Sequence, residues 1–169
     1  PIWGPCPVFG DGIVFYFFQS GDAGYVAGEV HGLIVSLDEG GGNWCPTFSD
    51  LPGVPNVGTD VAGTAPATAV GAFIGDGASN TDGIISGCPT GYAAAWCRAK
   101  GSEWFLPSAG ELNELYKWYD SDRSGVNTLL TTNSGTGFGL GYWSSTEFNA
   151  GNAWAQSFSV GSQSAGGKN

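Results

Sequence analysis

Between Trp104 and Tyr119 the chain reads WFLPSAGELNELYKWY, and few local structures accommodate that order of residues. Pro107 donates no backbone hydrogen bond and biases Leu106 toward an extended conformation. Ser108 and Glu111 then stand three apart, the spacing of a capping box, with Glu111 reaching back to the backbone N–H of Ser108. Leu112, Leu115, Tyr116 and Tyr119 recur at i, i+3, i+4 and i+7, one apolar stripe, while Asn113, Glu114 and Lys117 take the wet side. The stretch predicts an extended entry, an abrupt turn at Ser108, and an amphipathic helix over 109–119.

Other elements follow from local pattern. Gly12 to Phe18, GIVFYFF, reads as a strand buried on both faces. His31 to Leu37 reads as its hairpin partner, with His31, the single histidine, as a solvated or structural imidazole. From Asp38 to Ala72 the chain is aperiodic and proline-rich, a long loop anchored by Trp44 and Cys45. In Gly75–Asp82, Asp76, Asn80 and Asp82 are oxygen ligands on paper, but turn chemistry explains them, and Asn80 or Thr81 could open a short helix through Ile84–Ile85. A second helix is expected over Thr90–Lys100. Tyr142 to Phe148 should be an alternating strand, joined through the Phe148–Asn152 turn to a strand over Ala153–Val160. The chain is read as a single domain, 1–169, with an extended arm over 1–10 and a loose tail or incomplete last strand over 161–169.

In combination, WFLPSxxELNxLY and YWSSTE (142–147) resemble the Legionella collagen-like protein C-terminal domain family, a domain of unknown function. Gly12–Tyr16, His31–Ser36, Gly71–Asp82, Ala93–Cys97 and the pair Trp154/Phe158 fall in the order of that family's other segments. The resemblance spans nearly the whole chain. It implies an α+β, C-type-lectin-like fold: two helices packed on a small twisted, mostly antiparallel sheet with long loops. Family members close on a Val- and Arg-rich strand; residues 161–169 carry no such pattern, hence the expectation of an incomplete strand.

Fifteen acidic against five basic residues give a net charge of −10, a surface that repels nucleic-acid backbones and anionic membranes. No apolar run is long enough to span a bilayer. Glycine contributes 30 of the 169 residues without a Gly-X-Y period, which excludes a collagen helix and points to ordered loops. No N-x-S/T sequon occurs, in keeping with a bacterial origin. Cys6, Cys45, Cys88 and Cys97 lack CxxC spacing, so zinc is set aside in favour of disulfides and an oxidising compartment. Three pairings are open; Cys6–Cys45 with Cys88–Cys97 joins neighbouring elements and is preferred.

No G-x-S-x-G elbow, P-loop or dinucleotide fingerprint occurs, so no enzyme activity is expected. Asp120-Ser-Asp-Arg-Ser-Gly125 begins like a calcium loop, with Asp120, Asp122 and Ser124 as ligands, but Thr131 stands where the bidentate Glu belongs. A capped surface turn explains the string as well, so no cofactor is required and calcium is the one it could admit. The resemblance implies an extracellular or cell-surface module for adhesion, presenting loops to a glycan or other surface ligand, with homo-oligomers, trimer or filament, among its partners. Glu147, Asn149, Asn152 and Trp154 on the late hairpin, with Asp120 and Asp122, are the candidate contacts; core packing is the competing role for Trp154. The rival function is a structural subunit of a bacterial surface filament or self-assembling oligomer.

Overall fold

A computed structural model describes residues 8–47, 49–57, 70–88 and 92–169. Along the chain run β1 (Val8–Phe9), β2 (Gly12–Phe17), β3 (Gly32–Ser36), α1 (Gly77–Gly87), α2 (Ala93–Arg98), α3 (Ala109–Ser121), α4 (Arg123–Thr132), β4 (Gly141–Asn149), β5 (Asn152–Ser157) and β6 (Gln163–Gly167). The strands form two separate three-stranded antiparallel sheets, β1-β2-β3 and β4-β5-β6. This overturns the expected C-type-lectin-like fold: the described residues hold four helices and two sheets, not two helices on one sheet. The carbohydrate-binding, adhesion, oligomer and filament roles attached to that architecture lose the basis they had in it.

The chain divides into two compact units, Pro1–Glu39 with Glu114–Gly139, and Gly40–Asn113 with Leu140–Asn169. In the first, β2 pairs with β3 from Gly12↔Ser36 to Phe17↔Gly32, with a register shift between Val14 and Tyr16. Ile13 and Leu33 are buried; the remaining β2 side chains are only half-buried, so the expected burial on both faces does not hold. Aromatic rings close this unit. Trp118 lies 6.4 Å from both Phe15 and Phe138, and Phe138 meets Tyr119 edge-on at 5.1 Å. Helix α4 takes in the second half of the expected calcium string, whose Asp120 belongs to α3: Asp122 caps α4, accepting from Gly125 N at 2.9 Å, and the helix buries Val126 and Leu130 one turn apart. A side chain at Gly125 would meet the Asp122 carboxylate at 2.1 Å, so the glycine admits the cap.

In the second unit, a core of Trp44, Leu51, Val54, Ile84, Ala94 and Leu106 surrounds the buried Cys45–Cys88 disulfide. That bond corrects the preferred pairing: Cys45 and Cys88 are joined to each other, Cys97 is a free thiol among the described residues, and Cys6 lies outside them. Helix α1 is longer than the short helix expected, because Gly77 lets its first turn approach Glu111 and Phe105; an added Cβ there would fall 2.2 Å from Glu111 Oε2. The C-terminal residues, expected as a loose tail or an incomplete last strand, pair as β6 along β5 from Asn152↔Gly167 to Gln156↔Gln163. Among the described residues, no helix is long and apolar enough to cross a membrane.

Candidate functional site

The capping box forms as the spacing requires. Ser108 N donates to Glu111 Oε2 at 2.7 Å, and Glu111 N donates to Ser108 Oγ at 3.2 Å. Both residues are buried, at 0% and 1% exposure, which a surface cap would not be. The reason is that they hold a second segment: Gly75 N donates to Glu111 Oε1 at 2.8 Å, and Ser108 Oγ donates to Phe73 O at 2.7 Å. Burial pushes the Glu111 carboxyl up to about 7, with Asp76 adding to the rise, against the amides of Ser108 and Gly75 and the Ser108 hydroxyl, which pull it down.

The second half of the sequence signature meets the first. Between Trp143↔Ala155 and Glu147↔Ala153 strand β4 carries extra residues, a bulge that breaks the alternation. Ser144, Ser145, Thr146 and Glu147 are therefore all buried, where alternation would have exposed every other one. Thr146 Oγ1 accepts from Ala109 N at 2.9 Å and donates to Gly71 O at 2.7 Å. Ser145 N donates to Pro107 O at 2.7 Å, and Asn80 Nδ2 donates to Gly71 O at 2.7 Å and to Ser145 Oγ at 3.3 Å. Thr81 Oγ1 receives Leu106 N at 3.0 Å. WFLPSAGE and YWSSTE are thus two sides of one buried polar network, satisfied internally as buried polar groups must be.

Glu147, expected at the surface, is fully buried against Lys168. Lys168 is also fully buried; its ammonium donates to Glu147 Oε1, to Ser49 O at 3.0 Å and to Ala150 O at 2.9 Å, and lies 5.0 Å from the Trp44 ring. Three donors meet three acceptors, which offsets the desolvation of the charge. Burial raises the Glu147 carboxyl above the usual carboxylate range, and Lys168 opposes that rise. Backbone bonds complete the clasp: Cys45 N to Lys168 O at 2.9 Å, Lys168 N to Gly151 O at 3.1 Å, Val57 N to Glu147 O at 2.8 Å.

The other candidate contacts are also engaged. Asn149 Oδ1 accepts from Gly151 N at 2.9 Å and Asn152 Nδ2 at 3.0 Å, the closure of the β4–β5 turn. Trp154 is buried, with its indole N–H on Val57 O at 3.1 Å and its ring edge-on to Phe148. Asp120 holds Arg123 across 2.8 Å, Asp122 caps α4, and Ser124 O accepts from Thr128 Oγ1 at 2.8 Å, so the three are distributed over helical geometry rather than turned to a common centre. Among the described residues, no group of three or more His, Cys, Asp or Glu side chains converges on a metal position.

The sequence reading missed the loop over 18–31 as a surface feature. Asp22 organises it, accepting from Tyr16 OH at 2.8 Å and Gln19 N at 2.7 Å. Successive turns follow, Tyr25 N to Asp22 O at 3.1 Å and Glu29 N to Val26 O at 3.1 Å, and Phe18 N to His31 O at 2.9 Å closes its base. On this ordered frame Tyr25, Val26 and Val30 are 41%, 43% and 83% exposed. The available signal was Tyr25-Val26 within a glycine-bounded turn, apolar residues with no periodic element to bury them. Comparison with known proteins finds no matching family model, no matching curated protein and no matching solved structure.

Proposed function

We propose that the chain is a binding module whose contact surface is the 18–31 loop. The observation that carries this reading is the contrast between that loop and the side chains able to do chemistry. Glu111, Glu147, Lys168, Ser108 and Thr146 are buried in internal hydrogen bonds, whereas Tyr25, Val26 and Val30 are exposed on a loop ordered by its own turns. Ordered loops on a tied framework are where recognition residues concentrate, and apolar and aromatic side chains supply contact area at low entropic cost. The ligand class this favours is a surface ligand with an apolar contact patch. The buried Cys45–Cys88 disulfide supports residence in an oxidising compartment, outside the cytosol. The resemblance to the Legionella collagen-like C-terminal domain family is kept as the family reading, resting on the paired segments of the buried network and not on a lectin-like architecture.

The test is an array of immobilised glycans and proteins, probed with and without chelator, using the wild-type chain and the Tyr25→Ala and Val30→Asp variants. Binding lost in both variants, with unchanged circular dichroism, supports the reading. Binding that survives both places the contact elsewhere and overturns it. An array without any bound ligand, together with concentration-dependent assembly by light scattering, favours a structural subunit instead.

A further inference from the structure

Lys168 and Glu147 form an ion pair whose two side chains are both 0% exposed. The Lys168 ammonium touches Glu147 Oε1, an oxygen on Cδ, the carbon an amine would attack. Ser49 O at 3.0 Å and Ala150 O at 2.9 Å accept from the same ammonium and hold the nitrogen at the carboxyl group. Leu51 N donates to both Glu147 oxygens, at 3.4 Å each. The Trp44 ring, itself fully buried, lies 5.0 Å from Lys168 Nζ and borders the site with carbon rather than water. We propose that Lys168 and Glu147 condense to an intramolecular amide, an isopeptide bond that ties the end of β6 to β4.

The reaction needs no oxidant, reductant or activated donor. One proton passes from Nζ to the carboxylate within the ion pair, leaving an amine beside a carboxylic acid. The amine lone pair attacks Cδ and the Nζ–Cδ bond forms. A second Nζ proton goes to the departing hydroxyl, and the Cδ–O bond breaks to release water. An ammonium and a carboxylate thus become one amide and one water, with no net change of charge. Each stage suits a dry site. The proton transfer removes two buried charges, and burial already raises the Glu147 carboxyl against the pull of Lys168. Contact between the two groups replaces a chance encounter. Leu51 N is placed to stabilise the oxyanion that the attack creates. The amide keeps one N–H, for which Ser49 O and Ala150 O both remain as acceptors. The bond closes a covalent ring over 147–168, so β6 is anchored by a bond as well as by its ladder to β5. The ion pair is the reactant: a freshly folded chain holds it, and the amide accumulates with time.

The experiment is intact-mass spectrometry of the folded, full-length chain kept for weeks at neutral pH, followed by chymotryptic mapping. Lys168→Arg, which keeps a cation, and the paired change Lys168→Met with Glu147→Leu run alongside, as does wild type held in urea. Hydroxylamine treatment removes a confounder, because it cleaves the cyclic imides that Asp11-Gly12, Asp76-Gly77 and Asp82-Gly83 can form with the same loss of mass. The expected result is a growing species lighter by one water and resistant to hydroxylamine. Its digest should contain a branched peptide joining 144–148 to 159–169 through Glu147 and Lys168. Neither variant, and no sample in urea, should yield it. Wild type that keeps its full mass throughout, or a mass loss abolished by hydroxylamine, overturns the proposal. A branch at another carboxylate, or a branched peptide formed equally in urea, overturns it as well.

Discussion

Glu147 and Trp118 stand for two ways of closing a core. Around Glu147, strand β4 gives up its alternation and turns four successive polar side chains inward, where Ala109, Gly71, Pro107, Asn80 and Lys168 meet them. Around Trp118, rings of Phe15, Phe138 and Tyr119 pack at 5.1–6.4 Å, and the neighbouring strands are only half-buried. A buried polar network is specific and brittle: each member is satisfied only while the others hold position. Aromatic packing is more forgiving, since area is lost in proportion to what is removed. The brittle core lies in the second unit, and the forgiving core lies in the first, the unit that holds the 18–31 loop.

The largest test of that distinction is Lys168→Met. Leaving Glu147 buried without its cation should remove about 3–5 kcal/mol, read by urea titration, whereas the paired change Lys168→Met with Glu147→Leu should recover most of the loss. A single variant as stable as wild type would mean that the clasp is ornamental and that the comparison fails on its polar side.

Glu111 gives the next effect, and its sign is set by the upward displacement of the carboxyl from 4.5 to about 7. A raised folded value means that the folded chain holds the proton more tightly than the unfolded one. The corresponding stability is fully present below about pH 4.5 and is lost as pH rises through about 7, up to roughly 3 kcal/mol in all. Glu111→Gln should remove that pH dependence, so the gap between the wild-type and variant stability curves changes across the window. Curves that stay parallel from pH 4 to 8 would sever Glu111 from the network's energetics.

How far such features were legible depended on the range of the signal. The Ser108–Glu111 box, the helix after it, and the β2, β3, β4 and β5 segments were readable because each is written within a few neighbouring residues. Lys168 was not: a lysine in a Gly- and Ser-rich terminus looks solvated, and only pairing with Glu147, 21 positions earlier, buries it. The β4 bulge hid Glu147 in the same way, since strict alternation assigns it to a surface. Helix α4 was missed because Asp120 and Asp122 have the spacing of metal ligands, while one makes an ion pair and the other a cap. Two sheets instead of one lay beyond reach for a related reason, as a strand's sequence fixes its pleat but not its partners.

On the aromatic side, Trp118→Ala should cost about 2 kcal/mol, below the full Trp→Ala range because the ring is half-buried. Hydrogen exchange locates the loss: faster exchange is expected in β2, β3 and α4. Equal acceleration throughout β4–β6 would erase the difference between the two cores.

The smallest effect on stability is expected at Val30, and it discriminates most sharply between framework and surface. Val30 is 83% exposed, and the loop's turns run through backbone atoms and Asp22, none of which needs the valine side chain. Val30→Asp should therefore change the unfolding free energy by less than about 0.5 kcal/mol, the usual range for surface positions. The same substitution places a carboxylate on the proposed contact loop, where a ligand could cover it only by desolvating a charge. Stability and binding then separate: the melting curve stays put while array binding disappears. A large loss of stability would instead mean that Val30 belongs to the packing of its unit, and the loop would cease to be the natural place to look for a ligand.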